Sequence, residues 1–227
     1  MRHPRAVYGA VLIVWLAAAA PADASPVTGR VAVKGRADRG AAPTVVYAEA
    51  LDGRAAARPT TFKLAQRNKA FVPRLLAVPV GSTVEFPNED QIFHNIFTLS
   101  RPNPFDLGLY RAGASKSRVF TEPATYRVFC NIHPQMTAVI LVLPTSFIAE
   151  VDAAGGYRLD LPPGRYRVTA WSERSQPATA DVTVGAAPLA VPDLQLDESQ
   201  YVELPHQNKF GQDYPKGSYD PLKDRKP

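Results

Sequence analysis

Apolar and polar residues alternate with a period of two through much of this chain, the pattern of strands with one buried face. Val31 and Val33 alternate with Arg30, Ala32 and Lys34, and residues 44–48 form a second short segment. Val84 and Phe86 are expected to face a core and Glu85 to face water. Tyr126, Val128 and Cys130 share one side of Y-R-V-F-C. Tyr157, Leu159 and Leu161 line up in the same way, as do Tyr166, Val168 and Ala170. In I-F-H-N-I-F the period puts Ile92, His94 and Ile96 on one face and Phe93, Asn95 and Phe97 on the other, so His94 is expected in a nearly dry, aliphatic setting. Residues 137–143, T-A-V-I-L-V-L, concentrate apolar residues instead of alternating them, as a strand also can.

Turn signals separate these segments at Pro79 and Gly81, at P-N-E-D-Q, at 152–156 and at 162–164. Residues 53–61 read as a connection. Residues 100–117, rich in Pro, Gly, Ser and charge, read as a long surface connection. Residues 197–227 read as an extended polar tail, with His206 solvated within it. The chain is predicted to be all-β.

One stretch adds chemistry to this pattern. Residues 126–143 set Cys130, His133 and Met136 in a C-x-x-H-x-x-M loop between two strand segments. A thiolate, an imidazole and a weakly held thioether suit copper cycling between two oxidation states, whereas zinc gains nothing from methionine and usually takes more cysteines. A trigonal blue-copper site needs a second histidine, and His94 offers one from another predicted strand. The candidate metal ligands are therefore His94, Cys130, His133 and Met136. Pro134 stiffens the loop by fixing its own backbone and restricting the residue before it.

His94 followed by Asn95, then C-x-x-H-P-x-M ahead of an apolar strand, resembles the type 1 copper proteins, the cupredoxins, with loop spacing like that of amicyanin. Residues 71–88, F-V-P-R-L-L-A-V-P-V-G-S-T-V-E-F-P-N, look like the plastocyanin-type strand pair. The resemblance covers residues 62–143 and implies a Greek-key β-sandwich holding one type 1 copper ion. It also implies an axial Met136, a hydrogen bond from Asn95 N–H to the Cys130 sulfur, and electron exit through His133 at an apolar patch with Ile132 and Pro134. The wider chain is similar to plastocyanin-like periplasmic proteins that carry a methylamine-utilisation label.

Residues 155–168, G-x-Y-x-L-x-L-P-P-G-x-Y-x-V, resemble the carboxypeptidase regulatory-like, prealbumin-like β-sandwich module. That module usually opens with strands of the kind found at 29–33 and 45–48. The expected organisation is a sandwich built from 27–52 and 144–196, split by a copper domain at 62–143 and followed by the tail.

Compartment sharpens the metal reading. A basic start, an apolar run and an A-x-A site at Ala22-Asp23-Ala24 read as a secretory signal peptide over residues 1–24, placing the mature chain in the periplasm. Cys130 is the only cysteine, and a lone thiol in an oxidising compartment calls for a purpose other than a disulfide. The net charge of +5 is dispersed, with no aromatic-basic stripe for nucleic acid. No G-x-S-x-G, H-E-x-x-H or phosphate-loop motif points to an enzyme. Two function classes remain: an electron carrier serving a soluble or membrane-attached periplasmic redox protein, and a copper-handling protein that delivers or buffers the ion.

Overall fold

The computed structural model describes residues 24–35, 42–53, 57–203 and 205–214. The predicted signal peptide lies outside the described residues up to residue 23. The described chain opens with β1 (Ser25–Lys34) and β2 (Thr44–Ala50). Next come β3 (Thr61–Lys63), β4 (Ala65–Arg67), β5 (Ala70–Val72), β6 (Leu75–Pro79), β7 (Thr83–Pro87), β8 (His94–Thr98), β9 (Phe105–Tyr110), β10 (Ser115–Val119), β11 (Ala124–Phe129) and β12 (Thr137–Leu143). The last strands are β13 (Phe147–Glu150), β14 (Gly156–Leu161), β15 (Gly164–Ser172), β16 (Ala178–Val184), β17 (Leu189–Ala190) and β18 (Leu194–Asp197). None of the described residues is helical, and among them no helix is long and apolar enough to cross a membrane.

The first described strands pair with the last ones. β1 runs antiparallel to β14 and parallel to β17 and β18, while β2 lies between β13 and β15, with β16 beyond β15. The alternation read in these segments delivers Val27, Val46, Leu159, Leu161, Val168 and Leu196 to one apolar core. Its turns are set by short polar side chains. Asp152 Oδ1 accepts the N–H groups of Ala154 and Gly156, each at 2.8 Å. Gly155, at φ +84°, lies where a Cβ would meet the Val31 carbonyl oxygen at 2.5 Å, so only glycine fits.

The middle of the chain forms a second pair of sheets, in the orders β6-β12-β11-β8-β9 and β10-β7-β3, with β4 and β5 as a hairpin. Phe86, Ile96, Phe120, Tyr126 and Ile140 fill its core, and Cys130 and Met136 belong to that core too. Along β12, Ala138, Ile140 and Val142 enter this core, while Leu141 and Leu143 join Val45, Tyr47, Leu75 and Trp171 in a third cluster that bridges the two sheet pairs. With both faces covered, β12 has no use for polar positions, which accounts for its continuous apolar run.

Two expectations are corrected here. Residues 100–117 are not one long connection, because they contain β9 and the start of β10. Phe105 and Tyr110 bury their rings in the core and lay β9 against β8, so two aromatic anchors outweigh the Pro, Gly and charge around them. In addition, the strand read at I-F-H-N-I-F begins only at His94, and all five residues of β8 are buried, on both of its faces. Ile92 and Phe93 precede the strand, escape its two-residue period and are exposed.

Candidate metal centre

β11 delivers Cys130 to the end of its buried face, and the chain then doubles back into β12. Two backbone hydrogen bonds shape the reversal: Met136 N–H to the His133 carbonyl at 2.9 Å, and Cys130 N–H to the Met136 carbonyl at 3.2 Å. They return Met136, itself buried, to the side of Cys130. His94 begins β8, two strands along the same sheet from β12.

The structure brings His94, Cys130 and His133 into one group whose donor atoms lie within 4.8 Å of one another. Cys130 Sγ is 3.8 Å from His94 Nδ1 and 3.7 Å from His133 Nδ1. The two imidazoles meet edge to face with centroids 4.9 Å apart. A first-row metal bonded to nitrogen at about 2.0 Å and to sulfur at about 2.3 Å, with about 120° between the bonds, separates the two donors by about 3.7 Å. The spacing fits a shared ion, and the donor types fit copper. His94 and Cys130 are fully buried, and His133 is half-buried at the rim. Burial, reinforced by the neighbouring His94, pushes His133 below the ordinary imidazole range, which favours the neutral form a metal takes.

Behind His94 stands Asp90, which sequence reasoning did not single out. Its Oδ2 lies 2.7 Å from His94 Nε2, on the far side of the ring from Cys130. Nε2–H donation to this carboxylate leaves Nδ1 as the basic atom facing the donor group. Asp90 is held in turn by the β4–β5 turn, where Asn68 and Lys69 adopt φ of 54° and 56° and donate their N–H groups to its two oxygens at 2.6 and 2.9 Å. Burial would raise the Asp90 carboxyl, but Lys69 N–H, His94 and Asn68 N–H together hold it below the usual carboxylate range. Two signals could have revealed this arrangement: a carboxylate four residues before His94, and an Asn-led two-residue turn between short strand segments.

Asn95 ties the loop through its side chain. It donates from Nδ2 to Asp106 Oδ1 at 2.6 Å and accepts Asn131 N–H at 3.3 Å. Ile132 is exposed and Pro134 half-buried, both beside His133.

His206 corrects an expectation. It is not a solvated tail residue: its ring stacks on Phe129 at 4.0 Å between centroids, and its Nε2 lies 2.6 Å from the Pro134 carbonyl oxygen. An aromatic face and a backbone carbonyl at the metal loop hold it in place of water. It contributes no atom to the donor group.

A scan against family models gives no match, and neither does a search of curated proteins. Solved structures do match. The chain is similar to the copper-containing nitrite reductase of Thermus scotoductus SA-01 at 32% identity, over 38% of this chain and only 22% of that one, with a TM-score of 0.35. It is similar to a Cu(I) form of an amicyanin variant at 22% identity, over 37% of this chain and 82% of that one, with a TM-score of 0.35. A purple cupredoxin from Nitrosopumilus maritimus matches at 24% identity, over 36% of this chain and 98% of that one, with a TM-score of 0.34. The described residues form an all-β fold, and their His-Cys-His group could hold a metal ion.

Proposed function

We propose that this chain is an exported, periplasmic type 1 copper protein that carries one electron at a time, and that His94, Cys130, His133 and Met136 would hold its ion. The observation behind the proposal is the donor geometry, two imidazole nitrogens at 3.8 and 3.7 Å from one buried sulfur. When bound, copper supplies reversible one-electron chemistry in a ligand set that suits both oxidation states. The protein's own task is to keep that set from rearranging. Cys130 serves as thiolate, its backbone held by the Met136 carbonyl. Asp90 orients His94, and the surrounding core excludes water from Cys130 and Met136. Four protein donors leave no open position for a substrate, so no catalytic step is assigned.

His133 sits half-buried beside exposed Ile132, which suits electron exit through a small, short-lived docking patch to a soluble or membrane-attached redox protein. The remaining strands serve as scaffold: a prealbumin-like sandwich from 27–52 and 144–196 into which the 62–143 copper domain is inserted. The pairing of β1 with β14 and of β2 with β15 supports this division.

Voltammetry of the copper-loaded protein, run beside a competition with a Cu(I) chelator, tests the carrier role. A reversible one-electron wave with slow copper loss is the expected result. Copper passing to the chelator faster than electrons are exchanged would move the chain to the delivery or buffering class.

A further inference from the structure

The segment after β18 leaves the sandwich sheets and reaches the metal loop. It is anchored where it starts: Glu198 is fully buried and accepts a hydrogen bond from Ser172 Oγ at 2.9 Å, and the Arg174 guanidinium lies 5.4 Å over the Tyr201 ring. Further on, His206 stacks on Phe129 and bonds the Pro134 carbonyl. Lys209 then makes two more contacts, N–H to Asn131 Oδ1 at 3.0 Å and Nζ to Asp106 Oδ2 at 2.8 Å. Phe129 precedes Cys130, Asn131 follows it and Pro134 follows His133, so the contacts bracket two donors without touching either. Asp106 also grips the Asn95 side chain, which holds Asn131 N–H, so Lys209 closes a ring of polar contacts around the start of the loop.

Resting on the copper reading, we propose that residues 206–209 are a strap that positions the metal loop, with His206 as the positioning residue. His206 acts through the Pro134 carbonyl and the Phe129 ring. Inside the loop, only two backbone hydrogen bonds define the reversal, and His133 stands at its exposed rim. An imidazole on such a loop keeps its direction only if the backbone next to it is fixed from outside, which the His206 contact to Pro134 does. The segment is polar in composition because it spends its polar groups on the loop and not on a core of its own.

The test uses the full chain with His206→Ala and, in parallel, His206→Gln, whose amide can still donate to the Pro134 carbonyl. Copper loss to a chelator should be about tenfold faster in the alanine variant, with altered copper hyperfine splitting, and glutamine should recover most of both. In the metal-free proteins, hydrogen exchange at the Cys130 and Met136 amides should rise in His206→Ala while β15 and β16 stay as protected as before. Unchanged copper loss together with unchanged loop exchange would overturn the strap. Faster exchange in β15 and β16 as well would overturn it too, by assigning His206 to general stability. Should the unaltered chain take up no copper, the copper reading fails by itself. Loop exchange then decides the strap alone: a local rise in His206→Ala supports it, and no change overturns it.

Discussion

The two sheet pairs use the same strand pattern and differ in what they place at strand ends. Where β13 gives way to β14, the sandwich turns on Asp152 and Gly155, residues chosen by backbone geometry alone. Where β11 gives way to β12, the chain places a thiol and an imidazole against a second imidazole from β8, with Met136 buried in the same core. The sandwich core of Val, Leu, Ala and Tyr can be filled by many sequences. The other core includes Cys130 and Met136 and closes over buried His94, so its packing and its chemistry are one arrangement. A β-sandwich becomes a candidate redox site when one strand end is dry, rigid and lined with soft donors; without those it remains scaffold.

That contrast predicts separable failures. The largest is in the scaffold: Leu161→Ala, at a fully buried position, should cost about 2–5 kcal/mol in denaturant unfolding while leaving the copper spectrum of the folded protein unchanged. A changed spectrum would mean that the two regions are coupled through the cluster of Leu141, Leu143 and Val45. Next in size, Asp90→Ala should weaken copper binding about 10–100-fold in a competition titration, since it removes the carboxylate that orients His94. Equal affinity would show that packing alone fixes the ring. The smallest effect belongs to the surface. Ile132→Lys should slow electron exchange with a diffusible partner about tenfold with no change in stability or spectrum, because it places a charge on the exposed surface proposed for docking.

What could be read from the sequence was local. Period-two alternation gave the sandwich strands and the buried side of β11, because side-chain direction in a strand follows from spacing. Cys130 and His133, which the fold brings to His94, were marked by their spacing within one loop. His94 was recoverable because the loop lacked a second imidazole and one stood in an apolar strand. The rest depended on tertiary partners. β9 was hidden because Phe105 and Tyr110 bind it to the core across a stretch of turn residues. Asp90 gained its role from a hairpin turn about twenty residues away, whose two N–H groups aim it at His94. His206 read as solvated because nothing near it in sequence showed that Phe129 and the Pro134 carbonyl would receive it.

The most direct measurement is the optical and electron-paramagnetic spectrum of the full chain after one equivalent of Cu(II). The predicted result is an intense blue thiolate-to-copper band with narrow hyperfine splitting, saturating at one ion per chain and absent in Cys130→Ser. A colourless protein, or an ordinary tetragonal spectrum that survives Cys130→Ser, would contradict a type 1 site at His94, Cys130 and His133.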